Sequence, residues 1–399
     1  MRNEELGDFL SSKPLYYKKI DHARVHVAYT LLEPQLKQPR TVHLVGTNGE
    51  GSTGRMLAHL AYKSGLKVGH YTSPHILKFN ERIWLDGVDS SDEILEAAHQ
   101  KLFPILGKEM SESLSHFEYT TLLAFVVFEK CDLMVLEAGL GGEFDATNVC
   151  DKELSIITPI GIDHQAFLGE SIEEIARTKI RSIQKKVLLA PQVYDEVVEV
   201  AKQIAEEKEA ELFFTGRVGF LTHQDIQDKL VVGWKTHPTA LLDIVKQNAW
   251  GDYLVDNATV ALQALELLEV PYDINDLKSL ELFGRFYPLT KNIRIDVGHN
   301  PLAAQAIEKA LDKEVVLIYN SLDDKDYEEV LRILKPKVKR VEVIKIDSQR
   351  ATTLEAIEEA LEKIGLKYSN FNNEINDDED YLVFGSFYVV EAFLKKRNM

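Results

Sequence analysis

The stretch TVHLVGTNGEGSTGR, Thr41–Arg55, governs the reading of this chain. An apolar run, TVHLV, has the length and composition of a buried strand. Glycines follow at Gly46, Gly49 and Gly51, and then a helical pattern begins. Glycine lets the backbone take positive φ and approach an anion closely. The first N–H groups of the following helix, with its dipole, then point at that anion. The spacing is G-x-x-G-x-G-S-T, related to but distinct from the phosphate-binding G-x-x-x-x-G-K-[ST]. Ser52 and Thr53 supply hydroxyls of the kind that bind Mg²⁺ on phosphates. The place a lysine would occupy holds Glu50.

Outward from the loop, the helical segment STGRMLAHLAYKSG puts Met56, Leu57, Leu60 and Ala61 on one face, with Gly65 as its stop. KVGHY, DLMVLE and LSIIT read as strands, the second continuous enough to be a central parallel strand. FEYTTLLAFVVFEK and SIEEIARTKIRSIQ read as helices, the latter opened by Ser171 and Glu174 as a capping box. Strand–helix alternation of this kind predicts a mostly parallel sheet with helices on both faces. The periodicity breaks at LELFGRFYPLT, and a second series follows. NIRIDV, EVVLIY, VEVIKI and YLVFG are its strands; PLAAQAIEKAL, 325–335, 353–365 and SFYVVEAFLKK are its helices. The expected organisation is α/β throughout. Residues 1–283 form a P-loop-type domain, and 284–399 a smaller Rossmann-like domain. The short alternating runs in 210–250 read as β-rich.

The chain has 399 residues, 45% hydrophobic and 28% charged, an ordinary soluble composition. A net charge of −18 argues against an extended nucleic-acid or anionic-membrane surface. Cys131 and Cys150 share no metal-type spacing and read as buried reduced thiols. With no signal-like or membrane-length apolar run, the expected location is the cytoplasm.

Further segments occur in a fixed order after the loop: HYTSPHILKFNERIWLDG (70–87), LEAGLGGEFDATNV (136–149), ITPIGIDHQAFLGESIEEIARTK (157–179), DNATVALQALELL (256–268), GRFYPL (284–289) and DVGHNPLAAQAI (296–307). Together with DKDYEEVLRIL and YLVFGSFYVVEAF they resemble the folylpolyglutamate synthase and dihydrofolate synthase family of the Mur ligase superfamily, over nearly the whole chain. The expectation is against the rival reading, a peptidoglycan Mur ligase, because the segment given before Gly46 is too short for that group's extra N-terminal domain.

The resemblance implies an ATP-dependent carbon–nitrogen ligase joining L-glutamate to dihydropteroate or a reduced folate through an acyl phosphate, and a monomer. It implies that Gly46, Thr47, Asn48, Gly49, Glu50, Gly51, Ser52 and Thr53 meet the phosphates. Mg²⁺ would be held by Ser52, Ser73, Glu137 and His164, with potassium a further candidate ion. Lys179 matches a carbamylated lysine, although Ile180 and Arg181 follow it where small residues are usual; with Glu137 and His164 it makes up the catalytic set. Asn257 matches an adenine-reading asparagine, Arg285 a phosphate-contacting arginine, and Asp296 and His299 a ribose- and nucleotide-contacting pair. Phe79, Arg82, Phe117, Glu118 and Thr121 are the folate candidates. In place of the family's loop lysine stands Glu50, and Glu143 stands where a basic residue is common. The expected consequence is weakened ATP chemistry, with a folate- or nucleotide-binding pseudoenzyme as the alternative.

Overall fold

The computed structural model describes residues 5–14, 21, 23–215 and 238–399. The chain divides into two compact units. One comprises Met1–Ile160, Ile172–Thr236 and Ala258–Asp276; the other comprises Gly161–Ser171, His237–Asn257 and Leu277–Met399. Two segments that precede residue 284 in the chain thus belong to the second unit.

The first unit is built on a sheet of eight strands: β1 Arg40–Val45, β2 Val68–Tyr71, β3 Ile83–Leu85, β4 Val88–Asp89, β5 Leu133–Glu137, β6 Leu154–Ile157, β7 Lys186–Leu189 and β8 Glu211–Phe214. Their order is β4-β3-β2-β5-β1-β6-β7-β8. Pairing is parallel from β2 to β8 and antiparallel only at β2–β3 and β3–β4. The continuous apolar run DLMVLE becomes β5, buried at every position between β2 and β1. That burial on both faces is why its sequence does not alternate. Beyond β1 the order runs on to β6, whereas β2 lies on the other side of β5. The C-terminal ends of β1 and β5 therefore flank a switch point, where open α/β sheets form their ligand crevice.

The helix after β1 spans Glu50–Lys63 and buries Met56, Leu57, Leu60 and Ala61, as its period requires. It ends where Gly65 takes φ +99° and donates to the Tyr62 carbonyl. A second apolar layer packs Phe9, Tyr119, Leu122 and Phe125 with Tyr71 and Leu136.

The second unit holds a sheet of six strands: β9 Tyr287–Pro288, β10 Ile293–Ile295, β11 Val315–Tyr319, β12 Val338–Val343, β13 Tyr368–Asn370 and β14 Tyr381–Phe384. The order is β13-β12-β11-β14-β10-β9, with only the β9–β10 pair antiparallel. Both sheets thus have the α/β character read from the sequence. Among the described residues of 210–250, the β-rich reading holds for Glu211–Phe214. Residues 216–237 lie outside the described residues, and Pro238–Gln247 is a helix. Its buried Leu241, Ile244 and Val245 recur at helical, not strand, spacing. No helix among the described residues is long and apolar enough to cross a membrane.

Candidate active site

The glycine loop leaves β1 with its main chain tied to the turn after β6. The N–H groups of Thr47 and Asn48 donate to the Pro159 carbonyl at 2.9 and 3.2 Å. Gly46 has no room for a side chain, because a Cβ would run into Thr158 Oγ1. Gly49, at φ +93°, is the left-handed residue before the helix and gives it no side-chain cap. The first turn therefore keeps main-chain N–H groups without an intrahelical partner at an anion-attracting end. Glu50, Ser52 and Thr53 in that turn are all buried, and Thr53 Oγ1 has no hydrogen-bond partner.

At the end of β5, Glu137 is buried beside the residues that follow β2. Its Oε2 accepts from the Thr72 hydroxyl and from the Ser73 N–H at 3.2 Å. The register Leu44↔Glu137, with Ala138 N–H on the Leu44 carbonyl, places this carboxylate next to the strand that enters the glycine loop. Among the described residues no group of three or more His, Cys, Asp or Glu is arranged to hold a metal. The donors here are instead hydroxyls and one carboxylate, an oxygen set suited to Mg²⁺.

Lys179, on the helix Ile172–Ile180, is buried under the same loops. Its Nζ donates to the carbonyls of Gly46 and, at 3.2 Å, Leu140. The intervening loop is held by Asp145, which accepts from the N–H groups of Gly139, Leu140 and Thr147 and from the Thr147 hydroxyl. Glu143 donates its N–H to Thr178 and pairs weakly with Arg181 at 3.7 Å.

The folate candidates separate into two kinds. Phe79 meets His75 and His116 edge-on, and Arg82 donates through Nε to His75 Nδ1 at 2.8 Å. Burial, then Arg82 and His75, push the His116 imidazole down to about 4. Phe117 packs against Tyr71 and against Gly139, where a Cβ would strike its ring. Glu118 and Thr121 are engaged internally. Glu118 closes the capping box with Ser115 and pairs with Arg24 at 2.7 Å; Thr121 bonds the Phe117 carbonyl.

In the second unit, His164 takes a left-handed conformation, φ 51°, before a short helix. Lys325 Nζ lies 2.6 Å from Asp163 and 3.2 Å from His164 Nε2. Burial opposes the charge on Asp163, yet His299, Lys325 and His164 hold its carboxyl well below the usual carboxylate range. Asn300 caps the helix Pro301–Ala310 and also reaches Asp163. Asp296 is buried and accepts from Tyr253, Phe286 N–H and Gly298 N–H. Arg285 stacks on Phe387. Asn257 is buried with no partner for its amide Nδ2, the kind of donor a ligand acceptor satisfies.

The dihydrofolate synthase/folylpolyglutamate synthase of Escherichia coli is 31% identical over 94% of this chain and 91% of its own. The folylpolyglutamate synthase of Lacticaseibacillus casei is 28% identical over 98% of both chains. Among solved structures, folylpolyglutamate synthetase of Helicobacter pylori superposes with a TM-score of 0.76 at 37% identity, covering 98% of each chain. The E. coli enzyme in complex with DHPP and ADP gives a TM-score of 0.80 at 26% identity over 99% of this chain and 98% of that one. No family model matches the chain.

The chain belongs to the folylpolyglutamate synthase/dihydrofolate synthase family.

It is thus an ATP-dependent ligase of that family. Several residues of this ligase escaped the sequence reading. Thr72 precedes Ser73 directly in the quoted TSPH segment, and His75 ends it, so a signal was present for both. Lys325 stands in DKDYEEV, but its pairing with Asp163, 162 positions away, has no local signature.

Proposed function

We propose that this ligase joins L-glutamate to dihydropteroate, to a reduced folate, or to both, through an acyl phosphate formed from ATP. The observation that carries the reading is the Glu137–Thr72–Ser73 cluster beside the Gly46–Thr53 loop at the carboxyl edge of the first sheet. N–H groups in the first turn of Glu50–Lys63 would bind phosphate oxygens. Glu137, Ser52 and Ser73 would hold Mg²⁺, with His164 the further family ligand. A bound divalent ion supplies neutralisation of charge on the transferring phosphoryl group. Glu137 keeps its orientation through the Thr72 hydroxyl and Ser73 N–H, which fix its Oε2. The buried amide of Asn257 supports its assignment to adenine. Arg285 and His299 complete the nucleotide set, and Asp296 contributes by fixing the main chain of Phe286 and Gly298. Phe79, Arg82 and Phe117 would meet the folate, with Glu118 and Thr121 shaping the helix behind them. Residues 1–283 would then carry ATP and folate, and 284–399 complete the ligase.

Glu50 favours a second reading, a chain that binds folate or nucleotide without turnover. The two separate on incubation with ATP, Mg²⁺, potassium and glutamate, giving dihydropteroate and tetrahydrofolate in parallel. Product gaining one glutamyl residue by mass spectrometry, with equal ADP, supports the ligase and names its acceptor. Folate binding without product supports the second reading.

A further inference from the structure

His43 stands in the middle of β1, in the run TVHLV, with no exposed surface. A strand buried on both faces is ordinarily apolar throughout. An imidazole is costly there unless its polar atoms are bonded, and Nδ1 has no hydrogen-bond partner. Nε2 lies 2.7 Å from the hydroxyl of Thr147, which is also fully buried. That hydroxyl donates to Asp145 Oδ1 at 2.6 Å. A hydroxyl has one proton to give, and a carboxylate only accepts. The Thr147 proton is thus committed to Asp145, and the Thr147 oxygen receives from His43. The His43 proton therefore sits on Nε2, and Nδ1 is bare. Burial and the neighbouring Lys152 favour this neutral form.

The chain of bonds continues into a loop. Asp145 Oδ2 accepts from the N–H groups of Gly139 and Leu140 at 2.9 and 3.0 Å. Gly139 comes just after Glu137 and Ala138, and a Cβ on it would strike the ring of Phe117. The loop is thus a wall against Phe117, hung from β1 through Asp145, Thr147 and His43. Other bonds close the Asp145 turn without His43. Asn148 donates its N–H to the Asp145 carbonyl at 2.9 Å and its Nδ2 to the Glu143 carbonyl at 2.8 Å. The glycine loop, for its part, is held by the Pro159 carbonyl. We propose that His43 is a positioning residue for the acceptor substrate: through Thr147 and Asp145 it sets the wall behind Phe117, and with it the seat of the pteroyl group. The inference rests on the ligase reading above, with Phe117 at the acceptor, and deepens it.

The test uses the full chain, unaltered and as His43→Leu, His43→Gln, Thr147→Val and the double variant His43→Leu with Thr147→Val. Leucine removes the donor; glutamine carries an amide N–H toward the place of Nε2. Calorimetry measures affinity for tetrahydrofolate, dihydropteroate and Mg-ATP, and glutamate-dependent ADP release gives the acceptor KM and kcat. In His43→Leu and Thr147→Val, acceptor affinity should weaken roughly tenfold and KM follow, while Mg-ATP affinity and kcat stay within about twofold. The double variant should lose no more than either single one, because both cut the same chain of bonds. His43→Gln should stay within about threefold of the unaltered chain. Nitrogen NMR of the unaltered protein, ¹⁵N-labelled at histidine and assigned with His43→Gln, should show a protonated Nε2 and a bare Nδ1. A proton on Nδ1 with Nε2 bare, additive losses in the double variant, equal losses of acceptor and Mg-ATP affinity, or a folded His43→Gln as weak as His43→Leu would each overturn the inference. If His43→Leu does not fold, the NMR signature, Thr147→Val and His43→Gln decide it. Acceptor binding without product in the unaltered chain would sink the ligase reading and leave this inference to the binding data. Product formation with acceptor affinity indifferent to every variant would overturn this inference alone.

Discussion

Lys179 donates from Nζ to the main-chain carbonyl of Gly46, tying the helix Ile172–Ile180 to the first residue of the glycine loop. That tie depends on Gly142, whose missing Cβ lets the GLGG loop lie against the Lys179 main chain. Backbone cannot move aside as a flexible side chain can. Gly142→Ala is therefore expected to cost about 1–3 kcal/mol of stability and to lower ATP turnover with it. Urea denaturation and ADP release, measured on the same preparation, check both effects.

Glu137 keeps its place through Thr72 and Ser73, so Glu137→Gln should leave the fold intact while removing the charge proposed to meet Mg²⁺. The expected loss in turnover is on the order of 10²-fold or more. ATP binding without Mg²⁺ should change far less than Mg-ATP binding. Equal loss of both would assign Glu137 to structure instead.

Asp163 and Lys325 form a buried pair at 2.6 Å within the second unit. Asp163→Asn leaves the ammonium buried beside His164 and should cost about 3–5 kcal/mol. The double change Asp163→Asn with Lys325→Met should recover much of that loss, because no uncompensated charge remains. Denaturant midpoints of the single and double variants decide it.

Burial holds the His116 imidazole at about 4, below its ordinary 6.5. Between those values the unfolded chain binds the proton first, so stability is full above 6.5 and falls as pH drops toward 4. His116→Gln should make that fall shallower by up to about 3 kcal/mol. His43 and His70, also pushed down by burial, keep part of the slope. Denaturation profiles from pH 7 to 4 provide the measurement.

What could be read from the sequence followed local rules. DLMVLE announced a central strand because both its faces are buried, and Gly49 announced a left-handed turn because other residues avoid one. The second series of strands and helices was legible for the same reason of period. Two things were not. Pro238–Gln247 hid among short apolar runs, where helix and strand spacing are hard to separate. The partners of site residues were also hidden. Nothing in DVGHN says that Asp296 accepts from Tyr253, and nothing near Glu50 points to Lys179 at the Gly46 carbonyl, 133 positions from it. Tertiary pairing of charges leaves no periodic trace.

The central claim is that this chain is a working ligase whose glycine loop carries ATP despite Glu50. The most direct measurement is ADP release dependent on both glutamate and a folate acceptor, made on the unaltered chain and on Glu50→Lys. The account predicts turnover in the unaltered chain, raised strongly by the added cation. Silence in both, with folate still bound, would contradict it.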